Sequence, residues 1–115
     1  MWWGRAALPG GSRKRRPFLI VSNDAFNENE SYPKVLVVHL PSVARSRGSY
    51  AWEVDLPKRV ANLPVASVAK CGEVYILLKE SLAEVVGMLP REHLERVDRA
   101  LAVALDLSVR GRSDS

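Results

Sequence analysis

The stretch RRPFLIVSNDAFN, residues 15–27, decides the fold. Four consecutive cations, Arg13, Lys14, Arg15 and Arg16, run into Pro17 and then into the apolar run Phe18, Leu19, Ile20, Val21, which Ser22, Asn23 and Asp24 close. A short, two-sided apolar run bounded by turn formers predicts a buried strand. Taken alone, the cations admit three readings: a targeting tag, a solvated loop, or one wall of an anion site.

Outward from this segment the pattern stays that of strands. VLVVHL, residues 35–40, predicts a second buried strand that Pro41 and Ser42 stop. SVARSRGS, residues 42–49, reads as a basic, flexible loop. YAWEVDL, residues 50–56, alternates, with Tyr50, Trp52, Val54 and Leu56 on one face and Ala51, Glu53 and Asp55 on the other, a half-exposed strand. SVAKCGEVYILL, residues 67–78, is a longer strand in which Gly72 marks a bulge. In REHLERVDRALAVALDL the period changes: Leu94, Val97, Leu101 and Leu105, flanked by Ala100 and Ala104, form one stripe of an amphipathic helix. Its outer face carries Glu92, Glu95, Arg96, Asp98 and Arg99, with Glu95 and Arg99 four apart and His93 facing solvent. The expected fold is α+β, mainly β: a small, strongly bent antiparallel sheet with a C-terminal helix packed on it. Residues 1–107 form one domain and 108–115 a frayed tail.

The 115-residue length suits one core. Charge is uneven, with ten Lys and Arg against five Asp and Glu in residues 1–59, and seven against eight in residues 60–115. A basic half points to an anionic partner, nucleic acid being the commonest, or to a merely solvated surface. No apolar run is long enough to span a bilayer, and MWWGRAALPGG lacks the basic start and apolar core of a secretory signal. The lone Cys71 fits a reducing cytosol and reads as core packing. No Cys/His cluster has metal-ligand spacing, so neither metal nor cofactor is expected.

RRPFLIVSNDAFN, the VLVV strand, LPVASVAKCGEV and VVGMLPREHLERVDRALAVALDL, in that order, resemble the MazF/PemK family of toxin endoribonucleases over roughly residues 2–107. Trp2 and Trp3 stand where that family's first strand begins. The resemblance implies an SH3-like barrel with appended helices, a cytoplasmic homodimer, and metal-independent cleavage of single-stranded RNA at short sequence motifs. In that cleavage the substrate's own 2′-hydroxyl attacks, and a cognate antitoxin neutralises the enzyme by lying across the RNA groove.

The resemblance also assigns residues. The family's arginine before the proline is Arg16, the first candidate for stabilising charge on the phosphoryl oxygens, because a planar guanidinium can pair two of them. Arg13, Lys14 and Arg15 become the cationic wall of the groove. The family's Thr or Ser after the second strand falls on Pro41, which has neither hydroxyl nor N–H, so Ser42 is the candidate hydroxyl. His39 is a candidate acid or base, or a cap on a buried strand. Arg45 and Arg47 could track phosphates or an acidic antitoxin segment. Lys70 and Glu73 face the RNA together only if the strand bulges at Gly72. Trp3 and Trp52 are expected in the core or dimer interface, while Trp2 is left open between packing and base stacking. Two other readings remain: a catalytically weakened relative that binds antitoxin or RNA, suggested by Pro41, Gly72 and the short N-terminal stretch, and a gyrase inhibitor of the CcdB type. The second is opposed by the lack of any aromatic residue after Tyr75.

Overall fold

The computed structural model describes residues 1–7, 15–43 and 50–107. The predicted tail at 108–115 and the cations Arg13, Lys14, Arg45 and Arg47 lie outside the described residues. Six strands form one sheet: β1 (Trp2–Ala7), β2 (Arg15–Ile20), β3 (Lys34–His39), β4 (Glu53–Leu56), β5 (Ser67–Leu78) and β6 (Leu82–Met88). Their spatial order is β4-β5-β3-β2-β1-β6, and every neighbouring pair is antiparallel. A short helix α1 (Asp24–Glu28), begun by the Asn23 side chain accepting from the Ala25 N–H at 2.7 Å, follows β2. Helix α2 (Arg91–Ala104) packs against β4 and β5.

Strand alternation divides the core in two. Trp3, Leu19, Val38 and Leu40 join Val54, Leu56 and Cys71 in one buried cluster, which Val97 and Ala100 of α2 cover. Phe18, Ile20, Val35 and Val37, the intervening residues, meet Ala6 and Leu77 in a second cluster. A sheet this small buries both faces only by curling, which right-handed strand twist promotes.

β1 is anchored by the indole of Trp3, whose Nε1–H donates to the Ala61 carbonyl at 2.7 Å. Ala61 adopts φ 52°, a left-handed conformation unfavourable for a residue with a Cβ, and the bond from Trp3 holds it there. Across the β1–β6 pair, Trp3 is opposite Gly87, and any Cβ on Gly87 would lie 1.8 Å from the Ala61 oxygen. The glycine is therefore what lets the Ala61 loop close on the sheet.

Several expectations change. The strand over residues 50–56 is regular only from Glu53; the Glu53 N–H bonds back to the Tyr50 carbonyl at 3.0 Å, so residues 50–52 form a turn. Trp52 consequently leaves the core and is 37% exposed. The inner face of α2 is set by His93, Val97 and Ala100, so His93 is buried and not solvent-facing, with Nδ1 3.4 Å from Arg96 Nη1 and Nε2 3.3 Å from Glu92 Oε1. Leu105 follows the end of the helix and is exposed. An i,i+4 ion pair on α2 joins Arg91 to Glu95 at 3.4 Å. β6 and α1 were not anticipated, because LAEVVGM mixes polar and apolar residues without alternation and DAFNE is a single turn and a half.

Gly87→Ala is expected to unfold the protein more readily, by about 3 kcal/mol, since the methyl meets backbone and not a movable side chain. Thermal melting followed by circular dichroism should show Tm falling by roughly 15 °C.

Candidate functional site

Where β2 and β3 part, the ladder thins for a reason written in the sequence. Pro17 has no N–H to donate, so beyond the Phe18–His39 pair the strands are joined by the Leu40 N–H to the Pro17 carbonyl at 3.3 Å. The chain after β3 then turns to β5, held by Val68 N–H to Pro41 O and Val43 N–H to Ala66 O, both 2.9 Å. Between these segments, β1 and residues 63–65 lies a cleft of about 350 Å³. Arg15, Arg16, His39 and Ser42 line it, so four of the sequence-predicted residues come together.

Arg16 sits opposite Ala6 of β1 and is half-buried. Its Nε is buried and has no hydrogen-bond partner among the described residues. An unpaired buried donor on a cation costs about 1–3 kcal/mol, which a bound anion can offset. Ser42 is half-buried, bridges to Ser67 through the backbone and lines the cleft beside Pro41.

His39 ends β3 between two aromatic rings, Phe18 at 5.2 Å and Tyr75 at 4.4 Å, the latter edge-on at 87°. Burial lowers its pKa from the ordinary 6.5; Glu73 opposes the shift, while Arg16 and Lys70 reinforce it. The ring is thus neutral at pH 7 and able to accept a proton.

Lys70 and Glu73 stand beside the cleft and do not line it. Both act on His39 because β5 bulges: Val38 pairs with Val74, but the next residue, His39, pairs with Lys70, leaving Cys71, Gly72 and Glu73 outside the ladder. Lys70 Nζ is 2.8 Å from Glu53 Oε2, a bond that raises the lysine pKa and keeps it charged. Burial pushes the Cys71 thiol up to about 12, so it is an inert core group at neutral pH.

Arg5 was missed by sequence reasoning. It lines the cleft with its guanidinium 5.0 Å over the Trp3 ring and 2.9 Å from Glu84 Oε1. The signal was its place two residues after Trp3, the same face of a strand, in a segment read only as the start of the chain. Among the described residues no three His, Cys, Asp or Glu side chains converge as metal ligands would.

A family model described as PemK-like, MazF-like toxin of type II toxin-antitoxin system matches residues 2–105. The chain belongs to that family. It is 30% identical over 109 residues to Endoribonuclease MazF6 of Mycobacterium tuberculosis (strain ATCC 25618 / H37Rv), an alignment covering 93% of this chain and 94% of that protein. Endoribonuclease MazF2 of Mycobacterium bovis (strain ATCC BAA-935 / AF2122/97) gives the same identity and coverage. Among solved structures, an endoribonuclease in complex with its cognate antitoxin from Mycobacterial species superposes with a TM-score of 0.77 at 25% identity, covering 93% of each chain. A MazE-MazF structure from Deinococcus radiodurans superposes with a TM-score of 0.69 at 26% identity, covering 93% of this chain and 92% of that one. The MazF-like fold thus confirms the mainly antiparallel sheet with a C-terminal helix. No helix among the described residues is long and apolar enough to cross a membrane.

In this MazF-like chain the lowered pKa of His39 has a sign that can be tested. Below pH 6.5 the unfolded chain takes up a proton on this histidine before the folded chain does, so stability falls as pH drops toward the folded pKa. NMR titration should find His39 titrating below 6.5, and His39→Gln should flatten that part of the stability profile.

Proposed function

We propose that this chain is the toxin of a type II toxin–antitoxin pair and acts as an endoribonuclease on single-stranded RNA. The observation that carries the reading is Arg16, whose buried Nε has no partner among the described residues, in a cleft also lined by Ser42 and His39. Such a site suits a phosphodiester whose charge grows in the transition state.

The chemistry follows from these groups. The ribose 2′-hydroxyl is already next to the phosphate, so no protein nucleophile is needed. Its oxygen bonds to phosphorus as the bond from phosphorus to O5′ breaks, giving a 2′,3′-cyclic phosphate and a 5′-hydroxyl. Neutral His39 takes the 2′-hydroxyl proton or, once protonated, supplies one to O5′. Arg16 pairs the non-bridging oxygens and the Ser42 hydroxyl donates to one of them. The reaction as written uses no metal. Arg15 lines the same cleft as a groove cation, Lys70 and Glu73 stand beside it, and Arg13, Lys14 and Arg45 are proposed as further RNA-binding residues. Cleavage at short sequence motifs and a cytoplasmic location belong to the same proposal.

The antitoxin is proposed to cover this cationic cleft. A homodimer is supported by Val74, Ile76 and Leu78, which present an exposed apolar face on the part of β5 that β4 does not pair. A catalytically weakened relative is the second reading, carried by Pro41 in place of the family hydroxyl.

Long single-stranded RNA incubated with the protein in EDTA should be cut to fragments with 5′-hydroxyl ends. Arg16→Ala should lower the rate by about 10²–10³-fold, and Ser42→Ala by about tenfold, the loss of one hydrogen bond, with both variants folded. Wild-type protein that is folded yet cuts nothing would leave the weakened relative as the better reading. Ile76→Glu should convert the dimer to monomer in sedimentation velocity.

A further inference from the structure

The turn ahead of β4 carries two aromatic side chains that the cleft chemistry does not use. Tyr50 and Trp52 stack with ring planes 4° apart and centroids 4.8 Å apart. Both remain open to water, Tyr50 at 58% and Trp52 at 37%, whereas Trp3 and Phe18, which serve the core, are at 1% and 0%. A parallel ring pair standing in solvent keeps an outer face on which another flat ring can stack.

The pair is held in place. The Glu53 N–H to Tyr50 carbonyl bond closes the turn, bringing residues 50 and 52 to one side, and the Cys71 N–H donates to the Trp52 carbonyl at 3.1 Å. That second bond ties the turn to the β5 bulge. A methyl on Gly72 would stand 2.6 Å from Trp52 Cδ1 and 2.9 Å from Nε1, so the indole edge occupies the space a side chain would fill.

The turn is also contiguous with the cleft. Glu53 pairs in register with Lys70, and Lys70 with His39, which places the row beside Trp52 two strand spacings, about 10 Å, from the histidine. Lys70 feels the Tyr50 phenol on one side and acts on His39 on the other.

We propose that the Tyr50–Trp52 pair is a stacking platform for one unpaired nucleobase of the RNA strand whose phosphate occupies the Arg16 cleft. The inference rests on the endoribonuclease reading and adds to it a positioning site for the substrate. An RNA strand brings a phosphate with each base; Lys70 lies beside the rings, and the cleft with its arginines begins at His39, about 10 Å away. Every base has a π-face, so the platform holds the strand in register without reading its sequence.

The test uses a short, end-labelled single-stranded RNA with 2′-O-methyl riboses, which lack the nucleophile and are not cut. Fluorescence anisotropy at several salt concentrations measures its affinity for wild type, Trp52→Ala, Trp52→Phe, Gly72→Ala and Arg16→Ala. Trp52→Ala and Gly72→Ala should each weaken binding about tenfold or more, the loss of one base–aromatic stack, while Trp52→Phe keeps most of the affinity. The salt slope should stay that of wild type in the Trp52 variants, because no phosphate contact is lost, and fall in Arg16→Ala. Replacing the bases one at a time by abasic sites should reveal one position that costs wild type as much as Trp52→Ala does and costs that variant nothing more. Wild-type binding that Trp52→Ala retains in full overturns the platform alone. A Trp52→Ala protein that keeps RNA affinity and loses its dimer or its antitoxin overturns it in favour of a protein contact. Failure of wild type to bind the oligonucleotide overturns the platform together with the RNA reading.

Discussion

The bulge in β5 is the constraint on which the site depends. A regular ladder would continue from Val38–Val74 to His39–Glu73 and leave Lys70 far up the strand. Displacing Cys71, Gly72 and Glu73 brings Lys70 opposite His39 and lets Glu73 act on the same ring. It also splits the long strand in function. Residues before the bulge pair with β4, whereas those after it leave an unpaired side with exposed Val74, Ile76 and Leu78. Bulges bend a strand and re-aim its side chains, and here the bulge brings two charged groups to bear on His39.

A second constraint holds the opposite end of the sheet. Trp3 is the largest fully buried side chain, and its one polar atom is satisfied by the Ala61 carbonyl. That bond draws the loop before β5 down onto β1, and the neighbouring residues 63–65 become a wall of the cleft. Arg5 follows from the same placement, its charge divided between the indole face and Glu84. One core tryptophan therefore positions both an apolar wall and a cation of the candidate site.

Electrostatics in the cleft is asymmetric in a useful way. Lys70 already has Glu53 and Arg5 has Glu84, whereas Arg16 keeps a buried donor with no partner among the described residues. A cation whose donors are already bonded gives little to an incoming anion; one with an orphaned donor gains a bond on binding. Burial, reinforced by Arg16 and Lys70, lowers the proton affinity of His39, so a neutral imidazole stands next to a positive site. That combination allows proton acceptance beside a stabilised phosphate.

Much of this was legible in the residues. The apolar runs at 18–21 and 35–40, the long strand at 67–78 with its bulge at Gly72, and the 3.6-residue period of α2 follow from side-chain periodicity, a local property that the backbone geometry imposes. The pairing of Arg16 with Pro17 before a buried strand, and the hydroxyl of Ser42 after Pro41, could likewise be named from order along the chain. Tertiary structure alone decided what depends on distant partners. His93 is buried because α2 rotates to fit β4 and β5, and no helical period reveals where the opposing surface lies. Trp52 leaves the core because a backbone bond from Glu53 to Tyr50 turns the chain one residue before alternation could carry the indole inward, and because Gly72, twenty positions later, leaves room for it outside. Periodicity determines which side chains share a face; contact across long sequence separations determines which face is covered.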